Sequence, residues 1–237
     1  MRRISFLWLV LWQSILPLVA QQEDLQGGFT LGWQIGQRGM GLEVAGLSGS
    51  YTRPWVFGLD IRNLRDLREA LITPYGQQGR RYVYGKTHHC LILAPTAGVI
   101  RSLGTHGSLS SISLQVGAQA GPALALLNPY HLVVYDQTSL SFVIRPYDPA
   151  QHVYQTIAGR SGWVSSPLDL RAQVGATARV YIQTDMARGV RNIGAFRFGF
   201  QADIFPQSLP LLATRPDLAN RRLYLSATLS LITGSRW

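Results

Sequence analysis

Two short clusters in this 237-residue chain hold side chains whose types and spacing could do chemistry. His106-Gly107-Ser108 sets an imidazole two residues from a hydroxyl, as a base beside a nucleophile would be. Such a pair also needs a carboxylate to orient the imidazole. The glutamates are Glu23, Glu43 and Glu69, and none stands at a matching nearby spacing. An ordinary glycine-containing turn accounts for the tripeptide. His88-His89-Cys90 offers metal-binding atoms, but neighbours on a strand point to opposite faces, so at most His88 and Cys90 share one. No second cluster completes a tetrahedral ligand set. The glycines of GWQIGQRGMG are not followed by a helix, which removes a phosphate-binding loop and leaves a tight turn. The sequence therefore predicts no catalytic residue, no metal site and no cofactor.

The charged residues form a more coherent pattern, and strands must position them. From Leu109 to Tyr135 the chain reads LSSISLQVGAQAGPALALLNPYHLVVY. Ile112, Leu114, Val116, Ala118, Ala120, Pro122, Leu124 and Leu126 alternate with Ser111, Ser113, Gln115, Gly117, Gln119 and Gly121. Side chains alternate across a strand, so one face is apolar and the other small and polar. The same alternation recurs in GGFTLGWQIG, GMGLEVAG, WVFGLDIR, LDLRAQVGATARVYIQ, IGAFRFGFQADIF and RLYLSATLSLITGSRW. Opposite their apolar rows lie Glu43, Asp60, Arg62, Asp169, Arg171, Arg179, Arg197 and Asp203.

A soluble sandwich would turn the apolar rows inward, and a membrane barrel would turn them to lipid. Trp33, Trp55, Phe57, Phe196, Phe198 and Phe200 are bulky for a small closed interior. Charges of both signs pair well in a narrow lumen. The reading is thus an all-β, closed antiparallel transmembrane barrel of about eight strands, its lumen plugged by those eight charged side chains.

The connections agree with this. Every second one is long, at 63–80, 136–167 and 206–220, and those near 48–53, 100–107 and 184–192 are shorter. Long outer loops and short periplasmic turns are typical of outer-membrane barrels. Leu64, Leu67 and Leu71 have helical spacing, and Asn63 with Asp66 suits a helix start, so a short helix is predicted on the first long loop. Pro95 within HHCLILAP predicts a bulge, an edge or an early strand end. Thr233 and Ser235 stand where the last strand would be hydrophobic, so that strand is expected to stop near Ile232, with GSRW as a tail.

The first residues, MRRISFLWLVLWQSILPLVAQQ, have a charged n-region, an apolar core from Ile4 to Leu16 and a small-residue site before Gln21. Residues 1–20 are expected to be a cleaved secretory signal, and 21–237 a single barrel domain. Cys90 is the sole cysteine, so no internal disulfide holds the exported fold. The formal charge of +10 falls to +8 without Arg2 and Arg3, and arginine supplies all of it but Lys86. No basic run or recognition-helix pattern points to nucleic acid, so none is expected as a partner. Arginine's planar fork fits phosphate. The set at the long loops, above all Arg80, Arg81, Arg221 and Arg222, is expected to contact lipopolysaccharide or an acidic partner.

The segments GGFTLGWQIGQRGMGLEV, YVYGK, GPALALLNPYHL and the terminal GSRW resemble a family of small outer-membrane barrels of Bacteroidota. The likeness spans most of the chain beyond residue 20. It implies residence in the cell outer membrane, insertion by the barrel-assembly machinery, which reads a terminal aromatic such as Trp237, and no catalytic residues. His106-Gly107-Ser108 also has the spacing that resembles outer-membrane lipid A deacylases, but the expected topology puts it on the periplasmic side. The sequence reading is a non-enzymatic structural or accessory subunit of a larger envelope assembly, in contact with outer-membrane lipids. The alternatives are a porin-like or lipid-transporting barrel and an outer-membrane lipid hydrolase.

Overall fold

A computed structural model describes residues 27–50, 53–74, 80–103, 113–152, 156–162, 169–186, 191–213 and 219–237. The described residues form thirteen strands: β1 (Gly27–Gly36), β2 (Gly39–Ser48), β3 (Trp55–Leu64), β4 (Leu71–Ile72), β5 (Tyr82–Val83), β6 (His88–Ser102), β7 (Ser113–Pro129), β8 (His131–Asp136), β9 (Ser141–Pro146), β10 (Ile157–Arg160), β11 (Arg171–Asp185), β12 (Asn192–Ile204) and β13 (Leu223–Arg236). Eight of them close into an antiparallel barrel in the order β1-β13-β12-β11-β7-β6-β3-β2. Closure satisfies every strand edge, which lets a chain with one buried thiol hold together without a disulfide.

The period-2 alternation sets which way each side chain points. The bulky apolar rows face outward: Trp33 is 55% exposed and Phe200 60%. The polar row faces in: Asp60 is 1% exposed and Glu43 3%. In β7 the inward row begins with Ser113, Gln115 and Gln119 and turns apolar at Ala123, Ala125 and Leu127. The interior therefore has a charged middle and a greasy mouth.

The two ends differ. At one end β2 leads to β3, β6 to β7 and β11 to β12, beside the start of β1 and the end of β13. At the other lie the two-residue turn Gln37-Arg38 and the long connections 65–87, 130–170 and 205–222. Gly39 ends that turn at φ +141, and a Cβ there would fall 2.2 Å from Asn63 Oδ1, which accepts from the Met40 amide at 2.7 Å. Only glycine fits both constraints.

Several local expectations are corrected. No α-helix forms among the described residues. The Asp66 amide does donate to Glu69 Oε1, at 3.2 Å, and the Glu69 amide to the Asp66 carbonyl, at 3.1 Å. That single turn does not propagate, because Leu71 and Ile72 pair with Val83 and Tyr82 instead. Pro95 sits mid-strand and faces outward, not at a strand end. Its β7 neighbour in register is Pro122, and the β6–β7 ladder lapses between the pairs Leu93–Leu124 and Ala97–Ala120 without a shift. Two residues lacking N–H thus share one gap in the ladder. The last strand does not stop near Ile232: backbone pairing continues to Arg236 opposite Gly28. The loop after β7 is not irregular throughout but folds into a sheet in the order β10-β8-β9.

Candidate functional site

Two layers of side chains lie across the interior. The first is the charged middle. Glu43 on β2 and Asp60 on β3 are directly paired neighbours, so two carboxylates stand side by side. Like charges there would repel unless cations lie within reach. Glu43 Oε1 accepts from Arg179, and Glu43 Oε2 accepts from Arg197 Nη1 at 2.7 Å. Asp60 accepts from Arg62, whose Nη2 also donates to Asp203 Oδ1 at 2.5 Å. Three carboxylates and three guanidinium groups make this layer neutral.

Glutamines complete the layer. Arg179 Nε donates to Gln119 at 2.5 Å, and Arg197 Nε and Nη2 donate to Gln183 at 3.1 and 3.0 Å. Gln183 donates on to Gln115 at 3.2 Å, and Gln34 donates to Asp60 at 3.1 Å. The Arg197 guanidinium lies 4.0 Å from the centre of the Tyr181 ring. That ring rests on Gly117, where a Cβ would come within 2.3 Å of it. Buried charges demand this degree of pairing, since each unpaired one costs several kcal/mol.

The second layer is an apolar stopper. Phe205, Leu209 and Leu211, from the connection between β12 and β13, fold onto Leu64, Ile92, Ala94, Ala125 and Leu127 of the barrel mouth. Thr87 N–H donates to the Leu211 carbonyl at 3.0 Å, His88 Nδ1 lies 2.9 Å from the Pro210 carbonyl, and Gln173 donates to the Gln207 carbonyl at 2.8 Å. Arg38 adds a bond to the Leu225 carbonyl at 2.7 Å and lies over the Tyr224 ring. Above the mouth, Tyr82, Tyr130, Leu132, Val134, Tyr147 and Ile157 form a separate core between the loop sheets.

Of the eight charges predicted for the lumen, the structure gathers six: Glu43, Asp60, Arg62, Arg179, Arg197 and Asp203. Asp169, just before β11, and Arg171, its first residue and paired with Leu127, are exposed and do not join them, which corrects that part of the expectation. Alternation fixes a residue's face but not its depth along the barrel axis. Sequence reasoning also missed the stopper, the Arg236–Asp185 ion pair at 3.0 Å near the opposite end, and Lys86 with Glu69 at 2.6 Å in the loops. The inward glutamines shared the parity of the lumen charges and were the available signal.

Arg80, Arg81, Arg221 and Arg222 are exposed at the long-loop end, and none pairs with a carboxylate among the described residues. Other loop arginines are engaged: Arg68 grips Asp66 with Nε and Nη2, both at 2.9 Å, and Arg145 meets Asp136 at 2.9 Å. Burial pushes the Asp66 carboxyl up, but hydrogen bonds from the Arg68 side chain and backbone outweigh it and hold the group below its usual value. Burial lowers the Lys86 ammonium below its usual value, and Glu69 opposes this in part. No three His, Cys, Asp or Glu side chains converge as a metal site among the described residues. His106 and Ser108 and the predicted signal segment lie outside the described residues.

No protein-family model and no curated protein matches the chain. A solved structure to which it is similar is Neisserial surface protein A, with 8% sequence identity, covering 90% of this chain and 95% of that one at a TM-score of 0.41.

Proposed function

We propose that this chain is an outer-membrane barrel that acts as a non-enzymatic structural or accessory subunit of an envelope assembly, with its lumen closed. The observation that carries the reading is the inversion of its polarity. Apolar rows cover the outside of the ring, and a neutral ion-paired layer fills the middle. An exposed apolar surface of that extent suits lipid rather than water. An eight-strand ring has room for side chains and little else, and here charges and the stopper take that room.

The long-loop end then faces outward, and the turns at 49–54, 103–112 and 186–191 face the periplasm. The exposed arginines Arg80, Arg81, Arg221 and Arg222 give that outer end a phosphate-binding character suited to lipopolysaccharide or an acidic partner protein. The barrel-assembly machinery would insert the chain after removal of residues 1–20.

Three measurements test this. Fractionation is expected to place the mature chain in the outer membrane; a soluble exported protein would overturn the reading. Lipid A mass spectrometry on cells expressing the chain is expected to match that of cells without it, and a lost acyl chain would favour a hydrolase. Mild-detergent pull-down with an in-cell cross-link is expected to yield one stoichiometric envelope partner. A barrel that stays alone under both conditions would sink the accessory role.

A further inference from the structure

A cleft of about 690 Å³ opens between strands β1, β2, β3 and β6 and the paired strands β4 and β5, and reaches Arg62, Leu64 and Cys90 at its base. Its wall side is formed by Trp33, Met40, Leu42, Ile61 and Leu91, on the contiguous strands β1, β2, β3 and β6. Leu71 and Val83 of the hairpin face them across the cleft. Along the loop side stand Arg65, Lys86 and Arg160. Lys86 is already neutralised by Glu69 at 2.6 Å and held over the Tyr130 ring, whose hydroxyl accepts from the Val83 amide at 3.0 Å. Arg65 and Arg160 are exposed, and neither pairs with a carboxylate among the described residues.

The cleft thus has an apolar flank on the barrel wall and a flank of net positive charge beside the loops. That polarity is complementary to an amphiphile with an anionic head and an acyl tail. We infer that the cleft holds one lipid A molecule by one phosphate and one acyl chain. The phosphate sits between Arg65 and Arg160, and the chain runs down past Met40, Leu42 and Ile61. This rests on the proposed outer-membrane placement with the long loops outward, which makes lipid A the lipid of the adjoining leaflet. Met40 and Leu42 remain half exposed, so the cleft opens sideways and the remaining chains stay in the bilayer.

The test uses the full mature chain reconstituted into phosphatidylcholine vesicles doped with either lipid A or phosphatidylglycerol. After gentle detergent extraction, native mass spectrometry counts the lipids that remain bound. Heat-modifiable electrophoretic mobility shows that each variant is a closed barrel. One lipid A per chain is expected on the wild type and on Arg101→Gln, at the other end of the barrel. Arg65→Gln with Arg160→Gln should lower retention by at least about tenfold, since both charge-assisted contacts to the phosphate are lost. Met40→Trp keeps both arginines and should lower it too, by filling the chain path. Undiminished lipid A on the folded double variant, or equal retention of phosphatidylglycerol, overturns the site. A barrel that inserts but carries no lipid A overturns the site alone, and a chain that never enters vesicles removes the membrane reading with it.

Discussion

Glu43 and Arg179 stand on strands four places apart in a ring of eight, so their ion pair spans the barrel from one wall to the other. Arg62 and Asp203 repeat the relationship on the next strands round, β3 and β12. The lumen is therefore braced across its diameter rather than merely lined. Removing Glu43 leaves two guanidinium groups facing each other without their shared carboxylate. Glu43→Gln is expected to cost about 3–5 kcal/mol, as for other broken buried pairs. Urea unfolding of the reconstituted barrel, read by the mobility shift, measures it. Adding Arg179→Gln should recover part of the loss, and no recovery would argue against a direct pair.

The two closing layers make separable predictions for ion flow. The wild-type barrel should carry no steady current in a planar bilayer. Replacing the segment 205–212 with a short glycine link removes the stopper and should leave the barrel silent, because the charged layer still fills the lumen. Adding Arg62→Ala and Arg179→Ala should then give a current. Conduction by the shortened chain alone would show that the charged layer is no barrier.

Asp66 provides a pH signature outside the barrel wall. Its carboxyl lies below the ordinary value of 3.8, held there by Arg68 against the effect of burial. A depressed carboxylate contributes stability that is full above the unfolded value and is lost as pH falls through the folded one. Protection of the Arg68 amide, which donates to Asp66 Oδ1 at 3.0 Å, should therefore hold above about pH 4 and fade below it. Hydrogen exchange read at each pH checks this. Asp66→Asn should remove the pH dependence, and a wild-type profile flat to pH 2 would refute the assignment.

The exposed loop arginines are tested in cells. Replacing Arg80, Arg81, Arg221 and Arg222 with glutamine should weaken retention of lipopolysaccharide or of an acidic partner, with the barrel still folded. Biotin or protease added to intact cells should reach the long loops. Labelling confined to the turns at 49–54, 103–112 and 186–191 would invert the topology.

The barrel was legible in the sequence because its outward rows are almost uniformly apolar, so a period of two survives in most wall strands; β6 is an exception, since its inward Cys90, Ile92 and Ala94 are apolar as well. Loop lengths then sorted the two ends. Six lumen charges could be assigned from parity alone. Parity failed at Arg171, which shares the face of Arg179 but sits at the exposed end of β11, past its last β12 partner at Ala176, because depth depends on stagger between strands. The helix predicted after Asn63 had a real start, the Asp66–Glu69 exchange of hydrogen bonds, but tertiary pairing of Leu71 and Ile72 took over the next residues. The stopper left no local mark: Phe205, Leu209 and Leu211 read as scattered loop hydrophobics until the fold brings Ile92 and Leu127 beneath them. The hairpin β8–β9 did leave one, the alternation Phe142, Ile144, which the surrounding prolines obscured.

The stopper has a consequence for biogenesis. Phe205, Leu209 and Leu211 belong to the connection that leads directly into β13, and β13 is the strand that joins β1 to close the ring. Whatever brings β13 into place also delivers the segment that seals the mouth. Closure and capping are thus coupled: a ring joined through β13 already carries the segment that folds over its mouth.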